Sequence, residues 1–462
     1  MRRKYMSLLL LIGTLGFAGY PVRAQSPAEK VDLEAIAKIK EEGQKRSHVM
    51  EILSYLTDVY GPRLTGSPNV KQAQEWVEGQ LKNWGLQNVH VEPWGPFGRG
   101  WTLAGFSANV VAPQFLPMIA YPKAWSPSTD GPIKAQPVYL DAKTVADLDK
   151  YKGKLKGAIV LLDPARDVKA DFEPLGERLN ADKLLELADA PEPGGRGGFR
   201  RPQPTAEMKA RAELQAKKWQ MCYDEGAGVI LEPGRGDGGT IFVQQVNIPA
   251  PPDTPFDQRP RPWASTPPKI VPQVAVAVEH YNRLIRMIEK GATPTLEVEI
   301  KSNFYDSDPM SYNLVAEIPG TDLKDQIVML GGHFDSWQAG TGATDNGAGS
   351  AVALEAVRII QSLGLKPRRT IRIALWTGEE EGLLGSRAYV EQHFGKRILA
   401  PGQSIFSADA SSTPPKFELK PDQAKVSGYF NLDNGTGKIR GVYLQGNEAI
   451  ASLFREWLAP FK

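Results

Sequence analysis

The sequence predicts an α/β fold, with a mixed sheet flanked by helices. Two apolar, β-branched runs of strand length, 326–332 and 369–377, lie on either side of an apolar helical stretch at 350–362. A further apolar run, 426–432, again has strand length. In an open α/β sheet, ligands bind at the edge where the strands end. The residues that directly follow these runs are therefore the candidates for the chemistry of this chain.

The chain begins with a basic and then an apolar segment. The first four residues, MRRK, are followed by mostly apolar residues at 7–18, and VRA at 22–24 offers a small-residue cleavage site. We expect residues 1–24 to be a secretory signal peptide and the protein to be secreted or periplasmic. No later apolar run reaches the roughly 18 residues that a membrane span needs. We therefore expect no transmembrane segment.

We assign residues 25–124 to the first part of the main domain. Its predicted elements are a helical stretch at 31–58, a turn-rich break at 61–68 (GPRLTGSP), a helix near 70–84 and a strand at 87–93. From 125 to 305 the pattern changes, and we expect an inserted α/β domain before the main domain resumes at 306–462. The predicted elements of the insert are strands at 157–162 and 227–231, a helix at 206–224, a strand–helix pair at 273–290, and Pro/Gly-rich surface loops at 190–204 and 249–268.

Length, charge and cysteine content exclude several classes of protein. With 462 residues, the chain has room for about two to three domains. The formal net charge of +2 argues against a nucleic-acid partner, which calls for a pronounced basic face. Cys222 is the only cysteine, so an intramolecular disulfide is excluded and stability must come from the core, aided by bound metal.

His333 and the carboxylates around it predict a metal site. His333 directly follows the run 326–332. Imidazole and carboxylate ligands without thiolate suit a hard or borderline divalent ion, and the imidazole favours zinc over calcium or magnesium. Asp335, two residues on, is close enough to accept the other ring N–H and orient the imidazole. Asp345 opens a Gly-rich turn into the helix at 350–362, where it is either a metal ligand or a helix N-cap.

The pair Glu379-Glu380 at the end of the run 369–377 indicates a hydrolase. Two adjacent carboxylates cannot point the same way, so one can bind metal while the other serves as general base for the water that the metal activates. The alternative is a solvated acidic cap on the helix that follows, and for Glu381 we prefer this alternative. Asp433, which follows 426–432, is a third strand-end ligand candidate, although Asp-Asn-Gly is also what a tight turn needs.

Four motifs in this order resemble those of one enzyme family. GGHFDS (331–336), GATDNGAG (342–349), WTGEEEGLLGS (376–386) and FNLDNGTGKIRG (430–441) are similar to motifs of the co-catalytic zinc exopeptidases of metallopeptidase family twenty-eight. Within that family they most resemble the carboxypeptidase Q branch. The resemblance implies a zinc-exopeptidase fold, with 125–305 as a protease-associated domain inserted into a peptidase domain.

The resemblance also implies a role for each matching residue. It implies that Asp345 bridges two zinc ions, and that His333 and Asp433 complete the protein ligands of one of them. Glu380 is implied as a ligand of the other ion, and Glu379 as the general base.

The implied function is a secreted zinc-dependent exopeptidase acting on short peptides or dipeptides; the oligomeric state, monomer or homodimer, stays open. One alternative is an acyltransferase related to glutaminyl cyclases, against which the insert speaks because that branch lacks one. A non-catalytic ectodomain related to transferrin receptors is the other alternative. The presence of Glu379 argues against it, since a binding protein needs no base.

One ligand of the family pattern is missing from this sequence. The pattern calls for a second histidine downstream of NLD, yet no histidine follows His393. We therefore expect a chain truncated within its catalytic sheet, with an exposed apolar edge near its end. A strand at 441–445 and a helix at 447–459 are the last predicted elements. On this interpretation the ion held by His333, Asp345 and Asp433 binds tightly, the second site is incomplete, and peptidase activity is low.

Overall fold

The computed structural model describes residues 31–174, 176–188, 205–266, 269–400, 403, 416–433 and 437–461. The predicted signal peptide, 1–24, and the predicted loop 190–204 lie outside these ranges. The described chain divides into two compact units, residues 38–440 and a smaller unit of residues 31–37 with 441–461. None of the helices in these ranges is long and apolar enough to cross a membrane.

Nine α-helices lie in the described ranges, and they are numbered in chain order. They are α1 (Leu33–Lys45), α2 (Val49–Ser54), α3 (Pro68–Asn83), α4 (Ala181–Ala188), α5 (Ala206–Glu225), α6 (Val278–Glu289), α7 (Ala348–Ser362), α8 (Leu384–His393) and α9 (Ala451–Leu458). Short π-helical turns occur at Tyr55–Val59 and Ala343–Gly347.

The same ranges hold sixteen strands. They are β1 (Gln87–Trp94), β2 (Gly100–Ala112), β3 (Leu116–Pro117), β4 (Ala120–Pro122), β5 (Ile133–Ala135), β6 (Val138–Tyr139), β7 (Ile159–Leu161), β8 (Val229–Pro233), β9 (Gln273–Val276), β10 (Thr295–Tyr305), β11 (Ser311–Ile318), β12 (Leu323–His333), β13 (Arg369–Trp376), β14 (Gly395–Ile398), β15 (Lys416–Leu419) and β16 (Val426–Asn431).

The predicted mixed α/β sheet is confirmed. Its strand order is β1-β11-β13-β12-β16. Strand β12 runs parallel to both β13 and β16, while β11 runs antiparallel to both of its neighbours, β1 and β13. His333 lies opposite Trp376, and Gly331 lies opposite Asn431. The carboxyl ends of the three parallel strands therefore meet at one edge. This register brings the residues after each strand to the same place.

Helix α7 connects β12 to the parallel strand β13 and covers one face of the sheet. Its residues Leu354 and Val357 are fully buried and pack in one cluster with Leu314 of β11 and Leu375 of β13. A parallel pair needs such a crossover because a short turn can join only antiparallel neighbours. The crossover places the first turn of α7 at the edge where β12 ends.

The predicted helical stretch 31–58 is interrupted after α1. Residues 46–48 leave the helix, and the backbone N–H of His48 donates to the Glu355 carboxylate of α7 at 3.0 Å. Arg358 of α7 binds Glu42 of α1 through Nη1 at 3.0 Å. The residues on both sides of the break therefore bind α7.

The strands from β2 to β10 form two further sheets. One is antiparallel, β3-β2-β10-β5, and the other, β4-β9-β8-β7-β6, has its four strands from β9 to β6 parallel. The predicted strands at 157–162 and 227–231 appear as β7 and β8, the helix at 206–224 as α5, and the pair at 273–290 as β9 and α6. The long antiparallel pair of β2 and β10 was not predicted. The domain boundaries 125 and 305 stay a prediction.

The predicted surface loop 249–268 is only partly at the surface. Its described residues form no strand, but Trp263 is 3% exposed and stacks on Phe97 at 5.6 Å between ring centroids. The Trp263 carbonyl also accepts from the Arg99 backbone N–H at 2.7 Å. A Pro-rich composition predicts the irregular backbone correctly, but it carries no signal for an aromatic anchor.

The smaller unit has the predicted helix but not the predicted strand. Within its described residues, 441–445 pairs with no strand, so the backbone groups of this segment lack the partners that define a strand. The prediction of a strand there is wrong. Helix α9 follows, and its residues Phe454 and Trp457 meet edge to face at 5.3 Å.

Candidate metal centre

The imidazole of His333 faces three carboxylates. His333 is the last residue of β12, its side chain is 2% exposed, and its backbone carbonyl accepts from Ser350 Oγ of α7 at 2.8 Å. Its Nε2 lies 2.9 Å from Oδ1 of Asp345, 3.2 Å from Oδ1 of Asp433 and 3.9 Å from Oε2 of Glu379. Burial opposes protonation of His333, but the carboxylates of Asp335, Asp345 and Asp433 outweigh it and raise the pKa well above its usual range.

Three of these residues could share one cation. The ligand atoms of His333, Asp345 and Asp433 all lie within 4.8 Å of one another, and no other group of His, Cys, Asp or Glu in the described part of the chain converges in this way. One imidazole nitrogen with two carboxylate oxygens is a donor set that zinc accepts. The residues present therefore fit a zinc ion.

Asp345 is not a helix N-cap. Helix α7 begins at Ala348, and the capping bond comes from the next residue, because Asn346 Oδ1 accepts from the Gly349 backbone N–H at 3.0 Å. Asp345 instead stays within 2.9 Å of His333, and this contact lowers the pKa of its carboxyl group. The N-cap alternative considered for Asp345 is wrong, since the residue directly before α7 is Gly347 and the Asp345 carboxylate contacts His333 instead.

Asn346 also ties Asp433 to the start of α7. Its Nδ2 donates to the Leu432 carbonyl at 2.8 Å, one residue before Asp433. The close approach of the Leu432 carbonyl to the start of α7 depends on Gly349, because a Cβ at this position would lie 2.1 Å from the Leu432 oxygen. The glycine lets the end of β16 and the first turn of α7 meet backbone to backbone.

We predict that Gly349→Ala lowers both zinc affinity and stability. The added methyl group forces the Leu432 carbonyl away and takes Asp433 with it, at a cost of about 1–3 kcal/mol of folding free energy. Thermal unfolding and zinc titration measure the two effects. Gly79→Ala is the matched control, since a Cβ at Gly79 in α3 meets nothing within 4 Å. Equal zinc affinity in the two variants would contradict the prediction.

Asp335 contacts both the ring of His333 and the glutamate pair. His333 Nδ1 lies 3.1 Å from the backbone oxygen of Asp335 and 3.6 Å from its Oδ1, so the nearer acceptor is the carbonyl. The fully buried Asp335 carboxylate accepts from the backbone N–H groups of Glu379 at 3.3 Å and Glu380 at 3.2 Å. Thr65 Oγ1 donates to the same carboxylate at 3.1 Å.

Glu379 and Glu380 occupy different environments. The Glu379 side chain is 27% exposed, and burial raises the pKa of its carboxyl group although the charge of His333 opposes this. Burial, followed by the charges of Asp335 and Asp345, raises the pKa of Glu380 to about 8. Glu380 does not join the three-residue group of His333, Asp345 and Asp433. Glu379 stays outside that group as well.

The prediction of a solvated cap at Glu381 is wrong. Glu381 is 1% exposed, and burial together with the charge of Asp335 keeps the pKa of its carboxyl group well above the usual range. Gly378 and Gly382 have φ angles of +73° and +123°, so the chain turns there and α8 begins only at Leu384. No helix start is available for Glu381 to cap, and the turn carries it inside.

Arg63 is a buried residue of the site that sequence reasoning missed. It was placed in a turn-rich break, yet its side chain is 0% exposed and its Nε donates to the Phe334 carbonyl at 2.7 Å. Burial lowers the pKa of Arg63 to about 10, although the charge of Asp335 opposes this. An arginine in a Gly/Pro turn is ordinarily exposed, so the local pattern carried no signal for this role.

The comparisons with known proteins agree with the motifs. Residues 313–460, which carry β11 to α9, match the description "Peptidase family M28". The chain contains a peptidase family M28 domain. His333, Asp335, Asp345, Glu379, Glu380 and Asp433 all lie inside the matched part.

Relatives of this chain include carboxypeptidase Q of two mammals. It is 28% identical to carboxypeptidase Q of Bos taurus over 76% of this chain and 62% of that protein. It is 27% identical to carboxypeptidase Q of Mus musculus over 83% of this chain and 69% of that protein. The chain thus spans about two thirds of the length of these relatives.

A solved M28 structure has the same fold. The crystal structure of a peptidase M28 precursor from Shewanella amazonensis SB2B matches with a TM-score of 0.50 and 23% sequence identity. The match covers 78% of this chain and 71% of the other. It supports the mixed α/β architecture on which the candidate metal centre is built.

Proposed function

We propose that this M28 chain is a secreted, zinc-dependent exopeptidase that hydrolyses short peptides or dipeptides. The observation that carries the proposal is the convergence of His333, Asp345 and Asp433 at the edge where three parallel strands end. Exopeptidase action is proposed from the similarity to the carboxypeptidase Q relatives. Secretion is proposed from the basic and apolar segment at 1–24.

His333, Asp345 and Asp433 would hold one zinc ion, and Asp345 with Glu380 would take part in a second site. A bound zinc supplies Lewis-acid chemistry, which polarises the scissile carbonyl and makes water acidic. Glu379 is the proposed general base, because its Oε2 lies 3.9 Å from His333 Nε2 and its side chain still reaches solvent. Its carboxylate accepts the proton of the attacking water and returns it to the leaving amine.

Asp335 keeps the two glutamates apart in this scheme. Its carboxylate accepts from both backbone N–H groups of the pair, which holds the peptide units of Glu379 and Glu380 against the loop after His333. Side chains on consecutive extended or turn residues point in different directions. One carboxylate can therefore take up the metal role while its neighbour handles the proton.

We predict that the 462-residue chain binds one zinc ion tightly. The described residues supply one convergent set of ligands, and Glu380 lies outside it. Equilibrium dialysis with metal analysis will show about one zinc ion per chain. His333→Ala will abolish this tight binding, because the imidazole is the single nitrogen donor of the set. Two tightly bound zinc ions would contradict the prediction and would mean that another residue completes the second site.

Turnover of a dipeptide panel tests the activity. Release of amino acid that a chelator abolishes and added zinc restores supports the proposed peptidase. Zinc binding without turnover at any metal loading would favour the non-catalytic alternative. Cyclisation of an N-terminal glutamine without dipeptide hydrolysis would favour the acyltransferase.

A further inference from the structure

The turn at residues 61–66, here called the Arg63 turn, contacts both halves of the candidate metal centre. It lies between the π-helical turn Tyr55–Val59 and α3, far in sequence from the strands of the site. Gly61 sits so close that a Cβ would lie 2.8 Å from the Thr341 carbonyl. The turn is therefore seated directly on the loop that joins His333 to Asp345.

Arg63 binds that loop, residues 334–342, at both of its ends. Its Nε donates to the Phe334 carbonyl at 2.7 Å, its Nη1 to Thr341 at 3.1 Å and its Nη2 to Gly342 at 3.0 Å. The Arg63 backbone N–H donates to Ser336 Oγ at 3.1 Å. A buried guanidinium is costly unless its N–H groups are paired, and its planar fork can serve several acceptors at once. These bonds fix how far the loop carries Asp345 from His333.

Thr65 contacts the other half of the centre. Its Oγ1 accepts from the Gly378 backbone N–H at 2.9 Å and donates to Asp335 Oδ2 at 3.1 Å. The Asp335 carboxylate in turn accepts from the backbone N–H groups of Glu379 and Glu380. Thr65 is fully buried, so this hydroxyl links the turn to the glutamate pair without competition from water.

We propose that the Arg63 turn sets the geometry of the centre, with Arg63 positioning the ligand loop of His333 and Asp345 and Thr65 positioning the Glu379-Glu380 segment. Both are positioning residues, since they act through the backbone of other segments. The proposal deepens the proposed function and rests on it for the roles of the residues that are positioned. The two contacts are separable, because they end on different loops.

Amide hydrogen exchange of the full chain, read by mass spectrometry, tests the proposal without zinc or substrate. Arg63→Lys keeps the charge but loses the fork, so exchange across 334–347 should rise on the order of 10- to 100-fold, while 378–382 changes little. Thr65→Val keeps the shape but loses the hydroxyl, so exchange in 378–382 should rise by roughly 5- to 10-fold, while 334–347 changes little. Thr65→Ser keeps the hydroxyl, so exchange in 378–382 should equal that of the parent chain.

Helix α6 serves as the internal reference. If either variant accelerates both loops and α6 alike, the turn only stabilises the fold and the proposal is wrong. If neither loop responds, the proposal is also wrong. Should Arg63→Lys fail to fold, Ser336→Ala removes the acceptor of the Arg63 backbone N–H and should loosen 334–347 alone.

Zinc titration gives a second readout. Arg63→Lys should weaken zinc binding by roughly 10- to 100-fold, as loss of a support behind a metal ligand does. Thr65→Val should weaken zinc binding less, because the hydrogen bonds of the Thr65 hydroxyl go to Asp335 and Gly378 rather than to a residue of the three-ligand group. Unchanged zinc affinity in Arg63→Lys would overturn the role given to Arg63. A parent chain that binds no zinc would instead overturn the proposed function, and hydrogen exchange would still decide the role of the turn.

Discussion

Replacing Glu379 by glutamine will lower dipeptide turnover by about 100- to 10,000-fold relative to the parent chain, the usual cost of losing a general base. The amide has the shape of the carboxylate but cannot accept the proton of the attacking water. Glu379 lies outside the group of three converging ligands. We therefore expect zinc content and thermal stability to stay at the parent level, and the loss to appear in kcat.

Two further variants make this result specific to Glu379. Glu391→Gln changes an exposed glutamate of α8 and should leave turnover unaltered. Glu380→Gln should lower metal occupancy instead, because Glu380 is proposed as a ligand. Parent-level kcat in Glu379→Gln would show that the roles within the pair are assigned wrongly.

Asparagine at position 335 will weaken zinc binding by roughly 10- to 100-fold and disturb the glutamate pair. Oδ1 of Asp335 accepts from Glu379, while Oδ2 accepts from Glu380 and from the Thr65 hydroxyl. In either orientation the NH₂ group of an asparagine faces one of these N–H donors. A buried donor is then left unpaired, which costs about 1–3 kcal/mol.

A competition titration with a zinc chelator measures this effect. Asp325→Asn is the matched control, since Asp325 lies on the same strand, β12, but is exposed. We expect the control to bind zinc as the parent does. An unchanged dissociation constant in Asp335→Asn would leave Asp335 with a role in folding alone.

Much of the sheet that carries the site was predictable because its signals are local. The runs that became β12, β13 and β16 are apolar over a strand length, and α7 repeats its apolar residues with helical spacing. Such patterns need no knowledge of distant residues. The order of side chains at the strand ends follows directly, which is why His333, the glutamate pair and Asp433 could be named together.

The mistaken elements lacked a local signal. The run 441–445 has strand composition, but a strand forms only when another strand supplies partners, and composition does not contain that information. Glu381 looked like an exposed acidic residue, yet the turn between Gly378 and Gly382 buries it. Trp263 lies in a Pro-rich loop, yet it is part of a buried aromatic cluster. The composition of the loop contains no information about these distant partners.

The sequence by itself named the candidate metal ligands and the edge of the sheet where they lie, because strand periodicity and strand ends are properties of neighbouring residues. Only the tertiary structure decided which residues hold them in place. Arg63 and Thr65 reach loops more than 270 positions away, through backbone carbonyls and N–H groups that carry no residue-specific signal. The tertiary structure also decided that the backbone carbonyl of Asp335 lies nearer to the ring of His333 than its carboxylate does. Contacts of this kind arise from chain geometry, since any residue type can supply the backbone partner.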